Sequence, residues 1–139
     1  DLELIKDLLS IMEKEGADFT LVFRRLSKAL EDKDHLLLKL FKDTSDLNPW
    51  LLRWKGRLEQ EENTKEVLVE IMNTVNPIYI PRNHTVEEVL TAATQQGDIK
   101  PFSDFLLVLE KPFDEINGNE TYAIPGPVPD QPYQTFCGT

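Results

Sequence analysis

The chain has a single cysteine, Cys137, so no disulfide can close within it. That excludes the disulfide framework typical of small extracellular domains. It also lacks any long apolar run. Its densest apolar clusters, Leu36–Leu38 and Phe105–Leu109, are core-sized, far short of the roughly 20 residues that span a bilayer. Positive charge is scarce: 15 Lys and Arg against 25 Asp and Glu give a net charge of -10. Phosphate backbones and anionic lipid surfaces both select for a surplus of cations, so no nucleic acid and no membrane is expected as a partner. There is no glycine-rich phosphate loop, no Walker motif and no serine nucleophile elbow. His35, His84 and Cys137 stand far apart, with no pair at ligand spacing, so no metal site is expected and the histidines read as surface or partly buried residues.

The chain starts at Asp1, and its first residues already show an amphipathic pattern. No basic start leads into an apolar stretch, so a signal or transit peptide is not expected within these residues. We expect the chain to be a piece of something longer. Two Asn-x-Thr sequons, at Asn83 and Asn119, read as incidental.

What is present is helical periodicity. Of 139 residues, 40% are hydrophobic and 29% charged, enough for one domain with a core. Leu4, Ile5, Leu8, Leu9 and Met12 fall at helical spacing, and Gly16 stops the run. Asp18 is a candidate cap for a helix whose apolar face is Phe19, Val22, Phe23, Leu26 and Leu30. A short apolar piece from Leu36 to Phe41 follows. Asn48-Pro49 reads as cap and first helical residue, with Trp50, Leu51, Trp54 and Leu58 as the next stripe. Thr64 opens a helix that is expected to turn Val67, Leu68, Ile71, Met72 and Val75 inward. Thr85 and Glu88 form a capping-box pattern, Gly97 closes that helix, and Pro101 opens the last one. No useful period-two alternation occurs. The predicted fold is all-α: an irregular helical bundle over 1–112, followed by an extended, acidic, Pro-rich tail over 113–139. The tail has Pro125, Pro127, Pro129 and Pro132 but no Lys or Arg, so it cannot build a core of its own. It reads either as a flexible tail or as a strap laid over a folded body.

Candidate functional residues are few. Glu59, Glu61 and Glu62 read as a solvated helix face. Trp50 and Trp54, one turn apart, suit a ligand platform, but a core stripe is the favoured reading. Arg53 and Arg57 share a helix face and, with Arg24, could clamp a phosphate or an acidic loop. Structural salt bridges to the abundant acids are the favoured reading. The run Asn76-Pro77-Ile78-Tyr79-Ile80-Pro81-Arg82-Asn83 is held open by two prolines. It reads equally as a docking element carrying Arg82 and Asn83 or as a plain rigid linker.

This run, leading into a helix, resembles the C-terminal region of the selenoprotein O family, also called YdiU. Asp18-Phe19-Thr20 followed by Phe23-Arg24 and Leu26 is similar to another of its segments. So are Trp54, Arg57 and Leu58, with Trp where the family has Tyr, and Gly97-Asp98 followed by Leu106, Leu109, Pro112 and Phe113. Cys137-Gly138-Thr139 resembles the family's ending, with Gly138-Thr139 in place of two serines. The resemblance spans almost the whole chain. It implies a longer, kinase-like protein that binds ATP with a divalent metal such as magnesium and transfers AMP to Ser, Thr or Tyr hydroxyls of protein substrates. The nucleotide- and metal-binding residues of such a protein would lie N-terminal to this chain, which would support the kinase-like part without catalytic residues of its own. The family implies an intracellular location, cytoplasmic in a bacterium or mitochondrial in a eukaryote. Cys137, as a near-terminal thiol, suits disulfide exchange if its pKa is low. An inert free thiol is an equally good reading. The alternative for the whole chain is a stand-alone helical protein–protein interaction module.

Overall fold

Local signals set the first helix boundaries. Gly16 takes the left-handed conformation (φ 64°) that ends α1 (Leu2–Glu15), and the N–H of Ala17 bonds back to the Met12 carbonyl. Asp18 is extended, and its carboxylate accepts from the Leu21 N–H at 2.9 Å, capping α2 (Phe19–Leu30). Thr64 precedes α5 (Lys65–Val75), and Gly97, at φ 66°, ends α6 (Asn83–Gln96). The remaining helices are α3 (His35–Leu38), α4 (Leu47–Leu58), α7 (Lys100–Leu109) and the single turn α8 (Glu120–Ala123). This computed structural model describes residues 1–127, and no strand occurs among them. The fold is all-α.

The chain divides into two compact units, Asp1–Ile78 and the residues from Tyr79 onward. In the first unit α1 packs on α4, and α2 packs on α3 and α5. Its core joins Leu8, Ile11 and Met12 of α1 to Val22, Leu26 and Ala29 of α2, with Leu37, Phe41, Leu47, Trp50 and Leu51. Trp50 is 2% exposed, and its indole N–H donates to the Leu4 carbonyl at 2.8 Å. Trp54 stacks on it with ring centroids 5.8 Å apart. The tryptophan pair is thus a core stripe.

In the second unit α6 packs on α7. Buried Tyr79 fixes the chain that follows α7. Its hydroxyl accepts from the Ile116 N–H at 3.0 Å and donates to the Ile116 carbonyl at 3.3 Å, while its own N–H donates to the Pro112 carbonyl. Tyr122 of α8 stacks on Phe105 of α7 with centroids 5.5 Å apart. Gly126 lies so close to His84 that an added Cβ would sit 2.5 Å from Nδ1. Residues 113–127 therefore include a helical turn and are tied to the helices of their own unit.

Several local expectations need correction. Helix α4 begins at Leu47 after Asp46, ahead of the Asn48-Pro49 pair. Helix α6 begins at Asn83 after an extended Arg82 (φ -73°, ψ 135°). Thr85 therefore lies inside the helix, buried, and is not its cap. Ile5, Leu9 and Phe19 are exposed although their spacing matches the buried stripes. The largest departure is α5: no residue on it is buried, and Val67, Ile71 and Val75 face solvent.

Candidate functional site

The most developed polar site joins α2 to the C-terminal end of α5. Arg24 is 4% exposed, on the inner side of α2. Its Nη1 donates to the carbonyls of Asn73 at 2.9 Å and Asn76 at 3.0 Å. The last carbonyls of a helix have no partner within the helix and carry its negative dipole end, so a guanidinium there satisfies both needs. Ser27, one turn along α2 and fully buried, places its hydroxyl 2.7 Å from Asn73 Oδ1 and 2.9 Å from the Arg24 carbonyl. Its one proton serves either acceptor. The Asn76 amide donates to the Met72 carbonyl at 2.8 Å. Together these bonds fix where α5 stops and the connector begins.

The Arg53 and Arg57 guanidinium groups are engaged within their own unit. Arg53 meets Asp7 at 2.6 Å, and Arg57 meets Asp1 at 2.8 Å and Glu61 one turn on. These are the salt bridges favoured from the sequence: Arg53 joins α4 to α1, and Arg57 joins α4 to the residue before α1 and to Glu61 just past α4. Glu59 and Glu62 are exposed. In the second unit Arg82 is half-buried, with its N–H on the Ile80 carbonyl at 2.8 Å, and Asn83 is exposed at the start of α6. The stretch from Pro77 to Arg82 carries no helix, as the two prolines require. His35 is exposed and His84 half-buried, 3.3 Å from the Thr85 hydroxyl. Cys137 lies outside the described residues.

A cleft of about 210 Å³ in the first unit is lined by Leu30, Asp32, Lys55, Leu58, Glu59, Lys65 and Leu68. Lys65 bonds Asp32 at 2.8 Å, and Lys55 bonds Asp34 at 2.8 Å. The hydrogen bond from Lys65, then its charge, holds the Asp32 carboxyl below its ordinary range. Asp32 also adopts a left-handed conformation (φ 60°) just past the end of α2, where the Lys33 N–H bonds to the Lys28 carbonyl. Both lysines of the cleft thus already hold an acid. A second cleft, of about 490 Å³, lies between α6, α7 and α8, with His84, Thr85, Glu88 and Tyr122 on its walls. Among the described residues no three His, Cys, Asp or Glu gather to hold a metal, and no helix is long and apolar enough to cross a membrane.

The sequence marked Arg24, and Asn76 as the head of the connector, but not the role of either, and it did not mark Ser27 or Asn73. Their partners lie 46 to 52 residues away along the chain, beyond the reach of any local pattern.

The family model described as "Protein adenylyltransferase SelO" matches residues 1–110. The chain belongs to this family. Among its relatives, the "Protein nucleotidyltransferase YdiU" of Rhizobium meliloti (strain 1021) is 41% identical over all of this chain and 29% of its own length. The proteins of the same name from Maridesulfovibrio salexigens and Cereibacter sphaeroides (strain KD131) are 40% and 45% identical, over 28% and 27% of their lengths. This SelO-family chain thus spans less than a third of these relatives.

Proposed function

We propose that this SelO-family chain is the helical, non-catalytic part of a protein adenylyltransferase. In this reading the longer protein transfers AMP from ATP to Ser, Thr or Tyr hydroxyls of other proteins through a kinase-like part, and residues 1–139 support that part. The observation that carries the reading is the family match over 1–110 combined with coverage of under a third of each relative. Most of each relative's length, with room for the nucleotide site, lies outside the matched region.

Among the described residues we read no set that fits ATP and magnesium. A triphosphate needs converging cations free to meet it, whereas Lys55 and Lys65 in the first-unit cleft hold Asp34 and Asp32. A metal needs clustered carboxylates, and none gather among the described residues. No chemical step is therefore assigned to this chain. What its residues do is mechanical: Arg24 fastens the end of α5, and Trp50 fixes α4 against α1.

The test compares labelled-AMP transfer to protein by the isolated chain and by the full-length protein carrying it. Transfer is expected only from the full-length protein. Labelling by the isolated chain, or a full-length protein with no transferase activity, overturns the proposal.

A further inference from the structure

Six of the eleven residues of α5 are large aliphatic or Met side chains, yet none is buried. At 3.6 residues per turn five of them fall into two rows, with half-buried Val69 in neither. The row Leu68–Met72 is half-buried, and Met72 packs against the first unit's core. The row Val67–Ile71–Val75 points away and is 40%, 47% and 65% exposed. Beside it runs an exposed row of Glu66, Glu70 and Thr74. The outer face is thus an apolar stripe one helix long with an acidic margin. Contiguous exposed apolar surface with a polar rim is characteristic of an interaction site.

We propose that this face of α5 docks onto an apolar, basic-rimmed surface in the remainder of the longer polypeptide. The proposal rests on the reading above that residues 1–139 act as part of such a protein. Two observations choose this occupant. More than two thirds of each relative's length lies outside the region this chain covers, so a large partner surface is at hand on the same polypeptide. A second copy of this chain would bring the acidic margins of two molecules of charge -10 together, a like-charge arrangement that opposes association. Arg24 and Ser27 of α2 hold α5 from its inner side through Asn73, so the stripe is presented with little conformational entropy left to lose on docking.

The test uses Ile71→Glu and Glu70→Lys in both the isolated chain and the full-length protein, read by thermal melting. In the isolated chain both variants should melt within about 1 °C of the parent, as exposed surface changes do. In the full-length protein Ile71→Glu should lower the melting temperature by on the order of 3 °C or more, and Glu70→Lys should lower it by less, with the difference fading at high salt. Equal destabilisation of the isolated chain would assign the stripe to the unit's own core and overturn the proposal. So would unchanged melting of both full-length variants. Dimerisation of the isolated chain that Ile71→Glu abolishes would make a second copy the occupant instead. Melting does not require AMP transfer, so a full-length protein without transferase activity defeats the functional reading while leaving this test intact.

Discussion

The two units hold themselves together differently. Residues 1–78 contain the continuous apolar core, built from α1, α2, α3 and α4 around Trp50. The described residues from Tyr79 to Pro127 bury far fewer apolar side chains, chiefly Val89, Phe105, Val108 and Ala123, and their stretch after Pro112 is tied down through the Tyr79 hydroxyl and the Phe105–Tyr122 stack. Burial of apolar area is spread over many contacts and is lost gradually. A buried hydroxyl serving two backbone groups is lost all at once when it is removed. The first unit should therefore fail through its core and the second through individual anchors.

The sharpest break of that contrast is Trp50→Ala. It removes both the central core side chain and the bond to Leu4, and should cost the first unit about 3–5 kcal/mol, measured by urea denaturation followed by circular dichroism. A cost under about 1 kcal/mol would mean that the core is not the unit's main support. Tyr79→Phe, which retains the ring, should cost about 1–2 kcal/mol in the second unit. Its signature is faster amide exchange at Ile116 and easier proteolysis beyond Pro112. Unchanged exchange there would show that the aromatic stack alone holds the segment.

Acid should act chiefly on the first unit. Hydrogen bonds from Lys28 to Glu31, from Lys65 to Asp32, from Ser45 to Asp43, and from the chain's own backbone to Glu66 hold these carboxyls below their ordinary values. In the second unit Glu120 is lowered, by the Gly118 N–H. A carboxyl lowered by folding contributes stability above its unfolded pKa and loses it as pH falls through the folded value. Both tryptophans lie in the first unit, so their fluorescence reports on it alone. The urea midpoint so measured should fall as pH drops below about 4. A midpoint that rises on acidification would contradict the sign. The smallest effect expected is that of Arg53→Ala, whose salt bridge to Asp7 is exposed on both sides. Its cost should stay under about 1 kcal/mol.

Local chemistry was legible in the sequence, and burial only in part: Leu8, Met12, Val22, Leu26, Leu30, Trp50 and Leu51 are buried as their spacing suggests, whereas Val67, Ile71 and Val75 are exposed. Asp18, Gly16, Thr64 and Gly97 mark helix ends because caps depend only on neighbouring residues. The Thr85–Glu88 pattern misled because Arg82, after Pro81, is itself the extended residue from which the helix starts at Asn83. The stripe Val67–Ile71–Val75 has the same period whether it meets its own core or another surface, so periodicity could not tell which side of α5 faced inward. Arg24 was visible as a residue of interest, but its carbonyl partners are brought to it only by the packing of α2 on α5. The candidate site was for that reason less legible than the fold.

The proposal that the chemistry of AMP transfer lies outside residues 1–139 is tested most directly by calorimetric titration of ATP with magnesium into the isolated chain. Lysines already engaged by Asp32 and Asp34 should give no saturable heat up to millimolar nucleotide. A one-to-one isotherm with a micromolar Kd would place a nucleotide site within this chain and contradict the proposed role as the supporting, non-catalytic part.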